Sequence, residues 1–399
     1  MSPALISRSD DLRRLRDEGY EVDVANGYLL ISHVPYVNAQ GQVVYGTLIS
    51  TLTLAGDVTT RPSDHVVFWA GDYPCASNGS QLTSLVNNPN LQERIRDGLV
   101  ATYSFSHKPE GGYPDYYQKM TTYIRILEGP AHVLDVDATA KTFPVLELTE
   151  EESVFCYLDN ASSREGITAI NEKLRRDRVA IVGLGGTGAY VLDLVAKTLV
   201  GEIHLFDGDN FLQHNAFRSP GAPSREDLMK RPTKVGWFAE TYSKMRRRII
   251  PHPVHINETN VADLKQMDLV FLCLEGGGAK QTIARYLIEN RVPFIDVGMG
   301  LYVENDALYG SARATTFTTS FHDHLARRIP SSEGGDNEYS RNIQIADMNA
   351  LNAALAVIKW KKLWGFYVDL GNEHNTVYGI TTNALTNDEV PNEAQVNQA

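Results

Sequence analysis

The chain is poor in cysteine: its 399 residues hold only Cys75, Cys156 and Cys273. An odd count with no CxxC spacing excludes a disulfide framework and a zinc knuckle, and it fits a reducing compartment. A basic surplus is also lacking. The 37 Lys and Arg against 49 Asp and Glu leave a net charge of −12, which argues against a general nucleic-acid binder, since such a protein needs a basic face to displace counterions. No apolar run approaches the ~20 residues of a membrane span, and the N-terminus shows no secretory leader. A cytoplasmic protein is therefore expected, with neither membrane nor nucleic acid as partner. There is no internal repeat, and a hydrophobic content of 43% provides for two or three domains.

What is present changes character along the chain. Residues 1–150 read as a small α+β domain. A helix is expected at SDDLRRLRDEG, capped by Ser9 and stopped by Gly19. Strands follow in YEVDVANGYLLIS, with Asn-Gly at a turn, then in VVYGTLISTLTL and HVVFWAG. A second helix is expected in PDYYQKMTTYIRILEG, with Pro114 at its first position. The aromatics around Tyr113 to Tyr123 read as core. The acidic stretch near 147–166 reads as a linking turn. From Arg178 strands alternate with helices, the signature of a parallel sheet covered on both faces. The expected fold class is α/β, a Rossmann-like, mostly parallel sheet over residues 151–370 preceded by the smaller α+β domain. Residues 371–399, polar and Asn-rich, are expected to be a loose tail.

The parallel module opens with RVAIVGLGGTGAYVLDLVAKTLVGEIHLFDGDNFLQHNAFR. Gly183, Gly185 and Gly188 match GxGxxG, with Gly186 as an extra glycine, between an apolar strand and a helix. Glycines there let backbone amides approach a phosphate, and the helix N-terminus supplies partial positive charge. Asp207 lies 19 residues beyond Gly188, at the end of a second strand, where a carboxylate can receive ribose hydroxyls. This names a nucleotide site and leaves NAD and ATP both open.

The residues that follow bear on that choice. Asp207, Asp209, Asn215 and Arg218 stand within FDGDNFLQHNAFR, and Lys234 opens a helix in PTKVGWFAE. A triphosphate attacked at its α-phosphorus needs cations on the phosphates and a carboxylate-held metal, whereas hydride transfer needs neither Arg218 nor Lys234. Taken in order, VGLGGTG, DGD, NAFR and TKV, then DLVFLCLEGGGAK, resemble the ThiF/MoeB and ubiquitin-activating enzyme superfamily, whose pattern is GxGGxG, DxD, NxxR, a helix-opening Lys and an acid after a later strand. The resemblance covers Ile167 to Thr316.

That resemblance implies an adenylation domain that uses ATP and Mg. Gly183, Gly185, Gly186, Gly188 and Asp207 would hold the nucleotide, Asn215, Arg218 and Lys234 would contact its phosphates, and Asp209 would be a further polar contact. Glu275, where the family usually has Asp, would help hold Mg. The family also uses an arginine from upstream of the first strand, often donated across a dimer, and Arg164 is the candidate. The substrate implied is the C-terminal carboxylate of a ubiquitin-like protein ending in glycine, in a bacterial ubiquitin-like conjugation. A homodimer is implied, and a conjugating-enzyme-like partner would fit the extra N-terminal domain. Other readings are a sulfur-carrier or peptide adenylyltransferase, a catalytically inactive binding scaffold and an NAD(P)-dependent oxidoreductase.

Many family members pass the acyl group to a cysteine after the sheet, and this chain has none beyond Cys273. Cys273 falls in an apolar strand and is expected to be buried. Three routes stay open. The enzyme stops at the acyl-adenylate, or it acylates Cys75 in the loop-like GDYPCASNGS, or it acylates a hydroxyl among Ser320, Ser331 and Ser332, with His322 and His324 as bases. The plainer reading of that last stretch is a mobile loop over the substrate tail. Beyond it, NIQIADMNALNAALAVIKWKKLWGF has apolar residues at helical spacing and is expected to be a long helix.

Overall fold

A computed structural model describes residues 3–175, 178–329 and 343–391. The chain divides into two compact units, Met1–Leu146 with Ser163–Glu165, and Glu147–Ser162 with Gly166–Ala399.

After a short helix, Pro3–Arg8, the N-terminal unit carries α1 (Asp10–Asp17) and strands β1 (Glu21–Ala25), β2 (Tyr28–Val37), β3 (Val43–Thr51), β4 (Val66–Ala70), β5 (Val86–Asn88) and β6 (Tyr103–Ser106). They form an antiparallel sheet in the order β1-β2-β3-β4-β6-β5. The Asn-Gly turn sits where it is expected. Asn26 at φ 50° and Gly27 at φ 81° take the two left-handed positions of a two-residue hairpin loop. Helix α2 (Tyr116–Leu134) buries Tyr116, Met120, Tyr123, Ile124 and Leu127 in one core with Leu29, Ile31, Leu48, Trp69 and Phe105 of the sheet. The aromatic run is thus largely core. The helix starts two residues later than expected. Asp115 is the cap because its carboxylate accepts from the Gln118 amide at 2.7 Å, and Pro114 precedes it. Ser9 does not cap α1 through its side chain, because its hydroxyl accepts instead from the Thr59 amide at 3.0 Å.

In the C-terminal unit β7 (Arg178–Val182), α3 (Gly186–Val195), β8 (Glu202–Phe206), α4 (Lys234–Ser243), β9 (Ile249–His252), β10 (Leu269–Leu272), α5 (Gly278–Glu289), β11 (Phe294–Glu304), β12 (Ala307–Phe317) and α6 (Ala346–Leu363) follow in order. Strands β13 (Asn375–Gly379) and β14 (Ala384–Asp388) come last. The sheet order is β9-β8-β7-β10-β11-β12-β13-β14. The first five strands are parallel and the rest antiparallel. Both faces are covered. One carries Leu192, Val195, Phe238, Ala353 and Trp360, and the other carries Leu264, Ile283, Leu287 and Phe294. Each such fully buried large side chain contributes about 1.5–3 kcal/mol, so the parallel strands are held from both sides. Strand order reverses between β7 and β10, and the crevice beyond their carboxyl ends is where open α/β sheets bind ligands.

The stretch expected as a loose tail instead supplies β13 and β14. Thr315 ties into it by donating its hydroxyl to Asn375 Oδ1 at 2.6 Å. The polar composition hid these strands because a backbone ladder, β13 on β12 and β14 on β13, and not an apolar face, does most to hold them. No helix among the described residues is long and apolar enough to cross a membrane.

Candidate nucleotide site

The glycine loop joins β7 to α3, and its glycines do different things. Gly183 has φ 88°, and a Cβ on it would stand 2.7 Å from the Cys273 carbonyl oxygen. A Cβ on Gly188 would lie 1.9 Å from the Gly183 oxygen, and one on Gly186 would lie 1.9 Å from Asn349 Nδ2. These three are required by packing. Gly185 alone faces open space, where a Cβ would meet only Gln344 Oε1, at 3.8 Å. That same oxygen accepts from the Gly186 amide at 3.3 Å, so a polar oxygen already occupies the helix N-terminus where an anion is favoured.

Asp207 ends β8 and is 7% exposed. Its Oδ2 accepts from the Leu184 amide at 2.7 Å and its Oδ1 from the Asp209 amide at 2.9 Å. The carboxylate therefore fixes both the glycine loop and the DGD turn, and it keeps acceptor capacity on Oδ1. Lys234 is the first residue of α4, capped by Thr233. Its ammonium is buried between Asp209 Oδ2 at 2.6 Å and Asp207 Oδ2 at 3.3 Å. The hydrogen bond from Lys234 holds the Asp209 carboxyl below its usual range. His255, just after β9, covers the turn. A Cβ on Gly208 would be 2.5 Å from its ring.

Asn215 and Arg218 come from the short helix Gln213–Ala216 and the residues after it. Asn215 is 3% exposed. Its Oδ1 accepts from Leu212 N at 2.8 Å, and its Nδ2 has no partner among the described residues. The buried Arg218 Nε is likewise unpartnered. Two buried donors without acceptors lie in one NxxR segment, beside a helix N-terminus and an anchored ribose-type acid. Buried donors are ordinarily satisfied, so this arrangement fits an anionic ligand.

Glu275 is exposed in the turn after β10. Among the described residues no three His, Cys, Asp or Glu side chains gather as a metal cluster. Arg164 is exposed at the end of the short helix Asn160–Arg164 and groups with the N-terminal unit.

The proposed acyl acceptors fare differently. Cys75 is 1% exposed, its thiol donates to the Tyr73 carbonyl at 3.5 Å, and burial pushes its pKa up, so a loop-like sequence conceals a packed residue. Cys273 is partly covered and its thiol is pushed up to about 12, first by burial. The Ser320 hydroxyl lies 3.3 Å from the Thr318 hydroxyl. Neither histidine is bonded to it among the described residues. His322 donates to the Thr318 carbonyl at 3.2 Å. His324 is fully buried, stacked on Phe317 and Phe321, and donates to the Thr316 carbonyl at 2.9 Å. Ser331 and Ser332 lie outside the described residues.

Motif reading missed Gln344 and Asn349. Both stand far from the glycine loop in sequence, and helical periodicity alone places Asn349 only on the inward face of α6.

The anchored glycine loop, the acid at the strand end and the cations beyond it define a nucleotide-binding α/β domain. A model of the ThiF family matches residues 159–359, and the chain belongs to that family. A second model, a domain of unknown function designated DUF6791, matches residues 10–160. Among curated proteins, ubiquitin-like modifier-activating enzyme 5 of Aedes aegypti is 27% identical over 121 residues, 30% of this chain and 29% of that one. The enzyme of the same name from Drosophila mojavensis is 26% identical over 154 residues, 35% of this chain and 38% of that one. The chain thus spans about a third of the length of these relatives. Among solved structures, E. coli MccB with ATP matches at TM-score 0.44 and 19% identity over 58% of this chain and 72% of that one. PaaA matches at TM-score 0.44 and 17% identity over 56% and 76%.

Proposed function

We propose that the chain is an ATP-dependent adenylyltransferase that activates the C-terminal carboxylate of a ubiquitin-like protein ending in glycine. The observation that carries this is the pair of buried, unpartnered donors, Asn215 Nδ2 and Arg218 Nε, beside the Asp207-anchored glycine loop. ATP is the substrate. A carboxylate oxygen forms a bond to the α-phosphorus, and the bond from that phosphorus to the bridging oxygen breaks. Pyrophosphate leaves with the electron pair. The loop amides and the α3 N-terminus receive phosphate oxygens, and Asp207 Oδ1 receives ribose. Arg218 and Asn215 stabilise charge that grows as pyrophosphate departs. Lys234 holds Asp207 and Asp209 in place and adds a cation at the same end of the sheet. Mg, when bound, supplies charge neutralisation on the phosphates. Glu275 is the side chain that would hold it, through water and the phosphates, since Mg keeps much of its hydration.

Arg164 is proposed to complete the site from a second copy in a homodimer, and the N-terminal domain to recruit a conjugating-enzyme-like acceptor in the cytoplasm. The packing of Cys75 and His324 favours release of the acyl-adenylate to a partner's nucleophile over an ester or thioester on this chain. The oxidoreductase reading has no support in the family match. A short peptide in place of the ubiquitin-like protein is the second substrate reading.

The test is ATP–pyrophosphate exchange with a small protein ending in glycine. Exchange is expected, with no covalent adduct on this chain by intact mass. Absence of exchange with any carrier protein or peptide, while ATP binds, would leave a nucleotide-binding scaffold.

A further inference from the structure

Asn349 lies in the first turn of α6, with its backbone amide bonded to the Ile345 carbonyl at 3.0 Å, and it is fully buried. Its side chain turns away from its own helix. Oδ1 accepts from the Thr187 hydroxyl at 2.9 Å, and Nδ2 donates to the Arg218 carbonyl at 3.2 Å. The amide group packs against Gly186, where any Cβ would collide with it. One side chain thus joins three segments, the first turn of α3, the NxxR segment and the start of α6. A buried apolar residue of the same size would pack this space without the two directional bonds.

Resting on the reading that Arg218 contacts phosphate, we infer that Asn349 is a positioning residue that sets Arg218 at a fixed distance from the glycine-loop amides. The Arg218 backbone sits beyond the short helix Gln213–Ala216, and a single 3.1 Å bond from its amide to the Asn215 carbonyl holds its other side. The Arg218 Nε is buried and has no acceptor among the described residues, so the place of the guanidinium depends on how its backbone is held. Asn349 supplies that anchor and references it to Gly186 and Thr187, the residues whose amides open α3. Charge and loop therefore move together. Phosphate recognition becomes a property of three segments of which the motifs show two.

The experiment is ATP binding to the full chain by calorimetry, with thermal unfolding alongside. It compares the wild type, Arg218→Ala, Asn349→Ala, Asn349→Leu and the double variant Arg218→Ala/Asn349→Ala. Arg218→Ala and Asn349→Ala are each expected to weaken ATP binding about tenfold or more, the scale of a lost charge-assisted hydrogen bond. The double variant should bind no more weakly than Arg218→Ala alone, because Asn349 acts through Arg218. Asn349→Leu, which fills the volume without either bond, carries the test if the alanine variant does not fold. Affinity losses that multiply in the double variant would overturn the inference, as would Asn349 variants that lose stability but bind ATP like the wild type. If Arg218→Ala itself binds like the wild type, the phosphate role of Arg218 fails first. If Arg218→Ala weakens binding and Asn349 variants do not, only the positioning role fails.

Discussion

Two glycine-rich turns stand at the same end of the parallel sheet, and they are opposites. In the first, residues 183–188, three of the four glycines have no room for a Cβ, with contacts of 1.9 to 2.7 Å to carbonyl oxygens or to the Asn349 amide. In the second, Gly276, Gly277 and Gly278, a Cβ would meet nothing within 4 Å. Composition scores the two alike. The first turn is glycine-rich so that the chain can be packed tightly. The second is glycine-rich so that it is not. Under the function proposed above, one rigid wall and one pliant wall would hold the nucleotide while Glu275, on the pliant side, adjusted to a metal and an incoming carboxylate.

The sharpest way to break this contrast is to add one methyl to the packed turn. Gly188→Ala would place its Cβ 1.9 Å from the Gly183 oxygen, a backbone atom that cannot move without shifting β7. A destabilisation of more than about 3 kcal/mol is expected, at or above the upper end of overpacking costs, with ATP binding lost. Denaturant titration and calorimetry read both. A Gly188→Ala variant with wild-type stability would show that the loop is not the rigid wall.

Cys273 sits between the two turns. Its carbonyl packs on Gly183, and two residues later the open arm begins with Glu275. With its thiol pushed up to about 12 by burial, the thiolate fraction at pH 8 is smaller than that of a free cysteine by roughly a thousandfold or more. Alkylation should be slower by a similar factor, and because thiolate grows as pH rises toward the pKa, the rate should climb about tenfold per pH unit with no plateau below pH 10. Mass-resolved labelling at Cys273, with the unfolded chain as reference, checks this. Rapid labelling near neutral pH would mean that the foot of the packed turn opens.

How far these features can be read from sequence depends on how local they are. GxGGxG, DGD, NAFR and the helix-opening Lys234 follow one another over about fifty residues, and each is fixed by the end of one strand or the start of one helix. Their order was legible for that reason. Asn349 and Gln344 carry no motif and reach the loop only because α6 returns across the sheet. His324 read as a base and proves to be an aromatic stacking partner of Phe317 and Phe321, since a titratable ring and a packing ring look the same in one dimension. Strands β13 and β14 were hidden by polar residues that serve a ladder more than a core.

The open arm yields smaller effects. Glu275→Gln removes the charge and keeps the shape. Its pyrophosphate exchange is expected to fall about a hundredfold, of the order seen when a single transition-state contact is removed, with melting unchanged because the side chain is exposed. Glu275→Asp should retain part of that exchange if the acid works through water and phosphates. Equal loss in both would point to direct, length-sensitive coordination.

The mildest change is Gly276→Ala. Its backbone is not in the left-handed region and nothing lies within 4 Å of the added Cβ. The methyl then acts mainly on the unfolded chain, by narrowing its conformational freedom, and stability should rise by about 0.4–1 kcal/mol. Exchange should stay within about twofold, because adding one Cβ beside two remaining glycines leaves the arm its freedom. Gly277→Ala, at φ 134° and ψ 179°, is the control, since an L side chain there is strained and should cost about 1–3 kcal/mol. If Gly276→Ala were as damaging as Gly188→Ala, the second turn would have to be packed against something when at work, and the two walls of the site would be alike after all.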